Sequence, residues 1–153
     1  MAANEYLNSI IIERPIDEVF STATCLESCV NWQTFMVNAE KVSEGPVHVG
    51  SQYKHSGRFL GMTGDAFPVV TALEPPHLFA YENDGRFPFN VEYRFESVPE
   101  GTRMTCKMYV PPGNNPIIHM AMPLLMNALS RQFTSDLQSL KEMMEAGVKV
   151  RKW

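Results

Sequence analysis

His55 is the residue in this chain best suited to proton chemistry. It sits in "GPVHVGSQYKHSGRF", residues 45 to 59, which opens as a turn (Gly45-Pro46, then Gly50) and then alternates. Gln52, Lys54, Ser56 and Arg58 take one parity, and Tyr53, His55, Gly57 and Phe59 the other. A period of two marks a strand with one wet face. The other face carries two aromatic rings, a gap and an imidazole. With an ordinary pKa of about 6.5, an imidazole there can act as a general acid or base near neutrality. It can equally be a buried histidine bonded to a neighbouring strand, or a hydrogen-bonding contact for a ligand. Tyr53, Tyr81 and Tyr93 share its inward parity if the strands are regular. Each joins an apolar ring to a hydroxyl that needs a partner, able to orient a carbonyl or phenol or to bond backbone. His55 and Tyr81 are thus the candidates for catalysis.

Methionine extends the same surface. Of ten methionines, Met104 and Met108 fall on the inward parity of a late strand, and Met122 and Met126 on the first half of a long helix. Methionine is flexible and polarizable, and its convergence on one region suits either a pocket lining or an irregular solid core. The candidate ligand contacts are therefore Tyr53, His55, Phe59, Tyr81, Tyr93, Met104, Met108, Met122 and Met126.

Other polar residues carry less. Asp65, Asn83 and Arg86 lie toward strand ends or loops, where surface placement is expected and where they could rim a mouth. His119 is expected to be exposed, near Pro123, although it could close one end of a cavity. His48 and His77 fall at turns, and Trp32 is expected to plug the end of the sheet. No Ser-His-Asp order, phosphate-cradling loop or metal-ligand cluster is visible. The glycines of "GRFLGMTGD" lie in a hairpin between strands, not between strand and helix. Cys25, Cys29 and Cys106 are an odd number without zinc spacing and read as reduced, small apolar residues. Neither a cofactor nor a metal is expected.

The elements that must position these residues follow from periodicity. Residues 5 to 13 form a strand that Arg14-Pro15 ends. Pro15 suits the first turn of a helix whose early residues are acidic, and a second short helix spans 26 to 31. Strands are expected at 36–43, 51–59, 63–73, 77–83, 89–97 and 103–110, with turns at Asp84-Gly85 and at residues 99 to 102. Pro68 implies a bulge or an irregular edge in the fourth of the seven strands. Phe89, Val91, Tyr93 and Phe95 oppose Asn90, Glu92, Arg94 and Glu96, the pattern of an antiparallel strand buried on one face. Asn115 and Pro116 then start a helix, which runs from Ile117 to about Ala146 and is about 45 Å long. Its apolar stripe is Ile118, Met122, Leu125, Met126, Leu129, Phe133, Leu137, Leu140 and Met144. Pro123 should kink it, and Gly147 should stop it. A sheet with one apolar face needs a cover, and only this helix is large enough to provide it. An α+β fold follows: a curved seven-stranded antiparallel sheet around a long C-terminal helix, with two short helices after the first strand.

Bulk properties narrow the partners. The 153 residues suit a single domain, 1–153, and a sizeable core; 44% are hydrophobic, 20% are charged, and the net charge is −4. With no basic stripe, a nucleic-acid partner is not expected. No apolar run reaches the roughly 20 residues of a membrane span. "MAANEYLNSI" lacks the succession of a signal peptide, so a cytoplasmic location is expected. A homodimer is left open.

Several stretches together resemble a known family. "IIIERPIDEVFSTATCLESCVNWQTFM" is similar to the opening of the START-like superfamily (SRPBCC, Bet v 1-like): a strand, a proline, a "VF" helix, then a tryptophan, here Ile10 to Ile12, Pro15, Val19-Phe20 and Trp32. "EKVSEGPVHVGSQYK" and "VVTALEPPHLFAYEN" look like its Gly-Pro turn with a "VG(S/T)" step and its strand, "EPP" turn and strand. The resemblance covers residues 5 to 146 and is nearest to the bacterial polyketide cyclase/dehydrase group. It implies a helix-grip fold with a deep cavity, between sheet and C-terminal helix, for hydrophobic or amphipathic small molecules. Members include polyketide aromatase/cyclases, lipid and sterol carriers, plant hormone receptors and activators of a chaperone ATPase. No motif here singles out a cyclase. The expected function is binding of a lipid- or polyketide-like molecule. The alternatives are a polyketide cyclase/dehydratase-type enzyme using His55 and a tyrosine, and a partner-protein binding module.

Overall fold

The computed structural model describes residues 4–59, 61–84, 88–111 and 113–147, with the side chain of Phe59 outside that description. Arg86 and the Gly85 half of the Asp84-Gly85 turn also lie outside the described residues. The elements run β1 (Glu5–Ile12), α1 (Ile16–Ala23), a 3-10 helix (Leu26–Asn31), β2 (Met36–Lys41), β3 (Tyr53–Phe59), β4 (Met62–Ala66), β5 (Val69–Glu74), β6 (Leu78–Asn83), β7 (Phe89–Val98), β8 (Gly101–Tyr109) and α2 (Pro116–Glu145). The fold is α+β, every strand pair is antiparallel, and a long C-terminal helix covers the sheet in the helix-grip manner.

Eight strands are described where seven were expected, and Pro68 is the reason. The run 63–73 divides at Phe67-Pro68 into β4 and β5, which join different sheets. Proline has no N–H for a ladder, so a strand is readily interrupted there. The result is a three-stranded sheet, β2-β3-β4, and a five-stranded sheet, β1-β8-β7-β6-β5. Backbone hydrogen bonds stitch the two together where β3 begins. Gly50 N–H donates to Val70 O at 2.8 Å, Val70 N–H to Ser51 O at 3.0 Å and Tyr53 N–H to Pro68 O at 3.0 Å.

The caps largely follow sequence logic. Asn115 Oδ1 accepts from Ile117 N–H at 2.9 Å, which satisfies one free donor of the first turn of α2. Gly147 follows the helix with φ +76°, a value that costs glycine little. Pro15 is the N-cap residue of α1 rather than part of its first turn, with φ −61° and ψ 149°. Gly101 opens β8 at φ +145°, and a Cβ there would lie 2.3 Å from the carbonyl oxygen of Ile12, so only glycine fits.

α2 is one continuous helix through Pro123, and its two halves differ in anchorage. In the C-terminal half, Leu137, Leu140 and Met144 are buried. Each such side chain contributes roughly 1.5–3 kcal/mol relative to exposure. Arg14 caps this end: Nε donates to Met144 O at 3.0 Å and Nη2 to Glu145 O at 3.1 Å. Lys141 Nζ reaches Ile11 O at 2.8 Å. In the N-terminal half, Met122 and Met126 are buried, but Ile117, Met120 and Leu124 are exposed, Met120 at 85%. Ile118, expected in the buried stripe, is exposed as well. Among the described residues, no helix is long and apolar enough to cross a membrane.

Candidate functional site

The alternation read from the sequence is realised on β3. Tyr53 is 1% exposed and His55 4% exposed, while Gln52 and Arg58 face water. The register explains how an imidazole fits there. Opposite His55 stand Ala39 on β2 and Ala66 on β4, so both cross-strand neighbours end at a methyl group. Cross-strand neighbours on one face have Cβ atoms about 4.5–5.5 Å apart, and larger residues would crowd the ring. His55 instead meets aromatic rings: Tyr53 at 6.1 Å between centroids and Tyr81 at 6.3 Å, edge-on.

Tyr81 belongs to the other sheet. β3 and β6 share no hydrogen bonds, so the His55–Tyr81 contact crosses the seam between the sheets. From Tyr81 the rings continue to Tyr93 at 6.2 Å, Phe95 at 6.4 Å and Phe20 of α1 at 5.2 Å. Met104 and Met108 are buried on β8, beside Phe95 and Val91 of β7 in register. Met122 and Met126 are buried on α2.

The polar atoms of this layer fall into two groups. Gln33 Nε2 donates to Tyr93 Oη at 3.4 Å, and Tyr81 stands edge-on to Tyr93 at 6.2 Å between centroids. Tyr53 Oη, His55 Nε2 and Trp32 Nε1 are buried and have no hydrogen-bond partner. Burial pushes the His55 pKa down to about 4, so the imidazole is neutral at pH 7. Burial, with the Glu27 and Cys25 charges as smaller causes, pushes Tyr53 up to about 12. Burial also raises Tyr81 and Tyr93, so all three phenols keep their protons. The layer is polar in places but uncharged. It can donate and accept hydrogen bonds, and a base with a pKa near 4 is poorly matched to proton abstraction at neutrality.

The remaining residues sort as follows. Asp65 is exposed and accepts from Ser56 Oγ at 2.8 Å. Asn83 is buried, not at the surface: its Oδ1 accepts from Phe67 N–H at 3.0 Å, a donor that the break at Pro68 leaves without a ladder partner. His119 is exposed and donates from Nε2 to Gly113 O at 2.8 Å. Trp32 is buried directly after the 3-10 helix. Gln33, Ala39 and Ala66 escape sequence reading. Gln33 lies in a loop with no periodicity to betray it, and the alanines matter only through register. The outer face of the five-stranded sheet holds an open, solvated depression bordered by Glu82, Glu92 and Lys107, opposite the aromatic layer. Among the described residues, no three His, Cys, Asp or Glu side chains converge to hold a metal ion.

Residues 7–145 match the family described as "Polyketide cyclase / dehydrase and lipid transport". No curated protein sequence matches the chain. Among solved structures, TTHA0849 from Thermus thermophilus superposes with a TM-score of 0.80 at 16% identity, over 95% of this chain and 99% of that one. DR_A0006 from Deinococcus radiodurans gives 0.69 at 18% identity, over 94% and 99%. StfQ, a di-domain ARO/CYC from the steffimycin biosynthetic pathway, gives 0.73 at 14% identity, over 95% of this chain and 52% of that one. At these identities the likeness shows a shared fold.

Proposed function

Since the chain belongs to the polyketide cyclase/dehydrase and lipid transport family, we propose that it binds a hydrophobic or aromatic small molecule between the sheets and α2. Tyr53, His55, Tyr81, Tyr93, Met104, Met108, Met122 and Met126 are the proposed contacts. The observation that carries this reading is the aromatic layer spanning the seam, with the unpartnered Tyr53 Oη and His55 Nε2 within it. Aromatic and methionine side chains supply apolar contact, and a few placed polar atoms supply orientation. Native mass spectrometry of protein purified from its host tests it. The expected result is a copurified molecule that leaves on denaturation. An unliganded protein that also fails to take up Nile red would overturn the reading.

A second reading is catalysis of the cyclase/dehydratase type, favoured by the proximity of His55 to Tyr81 and by the ARO/CYC domain of StfQ. It asks His55 to exchange protons near neutrality, against a pKa held near 4. His55→Gln separates the two. As a ligand contact, the variant should change affinity by no more than about 1.5 kcal/mol, one ordinary hydrogen bond. Normal binding with turnover of a polyketide mimic reduced by about 10²–10⁴ would establish the enzyme instead.

A further inference from the structure

Tyr53 and His55 are consecutive inward residues of β3, their rings 6.1 Å apart, and each ends in a buried polar atom without a partner. Leaving such an atom unpaired forfeits its hydration without return, and folded chains satisfy nearly all of them. Two on adjacent residues of one face mark a place where the partner comes from outside the chain. Trp32 Nε1 is also unpartnered, but it stands alone after the 3-10 helix, and other polar groups nearby are served. Gln33 serves Tyr93, and Tyr6 Oη shares a hydrogen bond of 2.9 Å with Thr134 Oγ1. Nor can the neighbouring strands make it good, since Ala39 and Ala66 stand opposite His55.

Charge narrows the partner further. The two side chains are neutral at pH 7, His55 with its pKa pushed down to about 4 by burial and Tyr53 pushed up to about 12. Among the described residues, the charged carboxylate whose field reaches Tyr53 is that of Glu27, and the shift of His55 comes from burial. Lys54 and Arg58 take the opposite parity of β3. An anion seated here would lose its hydration and gain no cation in return.

Resting on the binding function proposed above, we infer that the ligand is an uncharged molecule carrying a ketone or hydroxyl oxygen, and that this oxygen lodges between Tyr53 Oη and His55 Nε2. A ketone accepts from the Tyr53 O–H, and from Nε2–H in one imidazole tautomer. A phenol accepts from Tyr53 and donates to Nε2 in the other. Carboxylates, sulfonates and phosphates are excluded from this position.

Three naphthalenes of similar shape test this by equilibrium binding at pH 7.5: 2-ethylnaphthalene, 2-acetonaphthone and 2-naphthoate. 2-Naphthoate should bind at least about 100-fold more weakly than the ketone, as an unpaired charge in an apolar site demands. The preference for ketone over ethyl compound should fall about 3- to 10-fold in Tyr53→Phe and again in His55→Phe, one hydrogen bond each. Retained 2-ethylnaphthalene binding reports that each variant is folded. If His55→Phe does not fold, Tyr53→Phe carries the test, because it deletes one oxygen and keeps the ring. Ketone preference unchanged in the variants, or naphthoate bound as tightly as the ketone, overturns the oxygen assignment while binding itself stands. Failure of wild-type protein to bind all three overturns the binding reading and this inference with it.

Discussion

Asp136 Oδ1 accepts both donors of Thr34, the backbone N–H at 3.1 Å and the hydroxyl at 2.9 Å. Gln132 Nε2 adds a third bond at 2.9 Å, and Asp136 is wholly buried. The pair ties the middle of α2 to the segment after the 3-10 helix, where Gln33 turns toward Tyr93. Asp136→Ala leaves both Thr34 donors without their acceptor and should lower stability by about 2–4 kcal/mol in urea unfolding. Asp136→Asn keeps an acceptor oxygen and should lose less than half as much. Equal losses in the two variants would show that Oδ1 is not the anchor.

Phe133 and Leu140 should rank in a set order. Phe133 is only half-buried, meeting Tyr6 at 5.8 Å and Phe35 at 5.5 Å between ring centroids. Two ring pairs at about 0.5–1.5 kcal/mol each put Phe133→Ala near 1–3 kcal/mol. Leu140 has no exposure, and Leu140→Ala should cost about 2–5 kcal/mol, the larger loss. The reverse order in denaturant melts would place Phe133, not Leu140, at the centre of the core.

His55 gives stability a pH dependence of known sign. Its folded pKa, about 4, lies below the ordinary 6.5 because burial disfavours the imidazolium. Between those values the unfolded chain holds a proton that the folded chain lacks, so stability rises with pH across the window. The contribution is complete above about pH 6.5 and is lost as pH falls toward 4, by about 3 kcal/mol. Unfolding free energies of wild type and His55→Phe should therefore diverge between pH 7 and pH 4, with wild type losing more. Parallel profiles would mean that His55 titrates normally in the folded protein.

The cysteines should react unequally. Burial raises Cys29 and Cys106 to about 12, which removes nearly all thiolate at pH 8. Cys25 is half-buried. Iodoacetamide should label Cys25 in the folded protein, and Cys29 and Cys106 only in guanidinium, as peptide mass mapping would read out. Labelling of Cys106 without denaturant would show that β8 opens locally.

Legibility of the fold tracked periodicity. β7 and β8 read correctly because each buries one face, so Val91, Tyr93, Phe95, Met104, Cys106 and Met108 all lie on the predicted side. The split of 63–73 was only half visible. Pro68 announced an irregularity, but a missing N–H does not say whether a strand bulges or ends. Asn83 was misplaced because its role, accepting from Phe67 N–H, exists only once that strand has broken. Ile118 matched the helical stripe yet stands in water, since a stripe records which residues share a face and not how far the sheet beneath extends.

Tyr53 and His55 show where the two sources of information part. Alternation along β3 was enough to turn both side chains inward, because successive residues of a strand point to opposite faces. The identity of their neighbours was not local. Ala39 and Ala66 flank the imidazole through pairing registers, and Tyr81 reaches it from β6, a strand that does not pair with β3. Local pattern carries no record of separations of that kind. They are decided when the two sheets close on each other, and with them the burial that keeps His55 neutral and leaves its Nε2 without a partner.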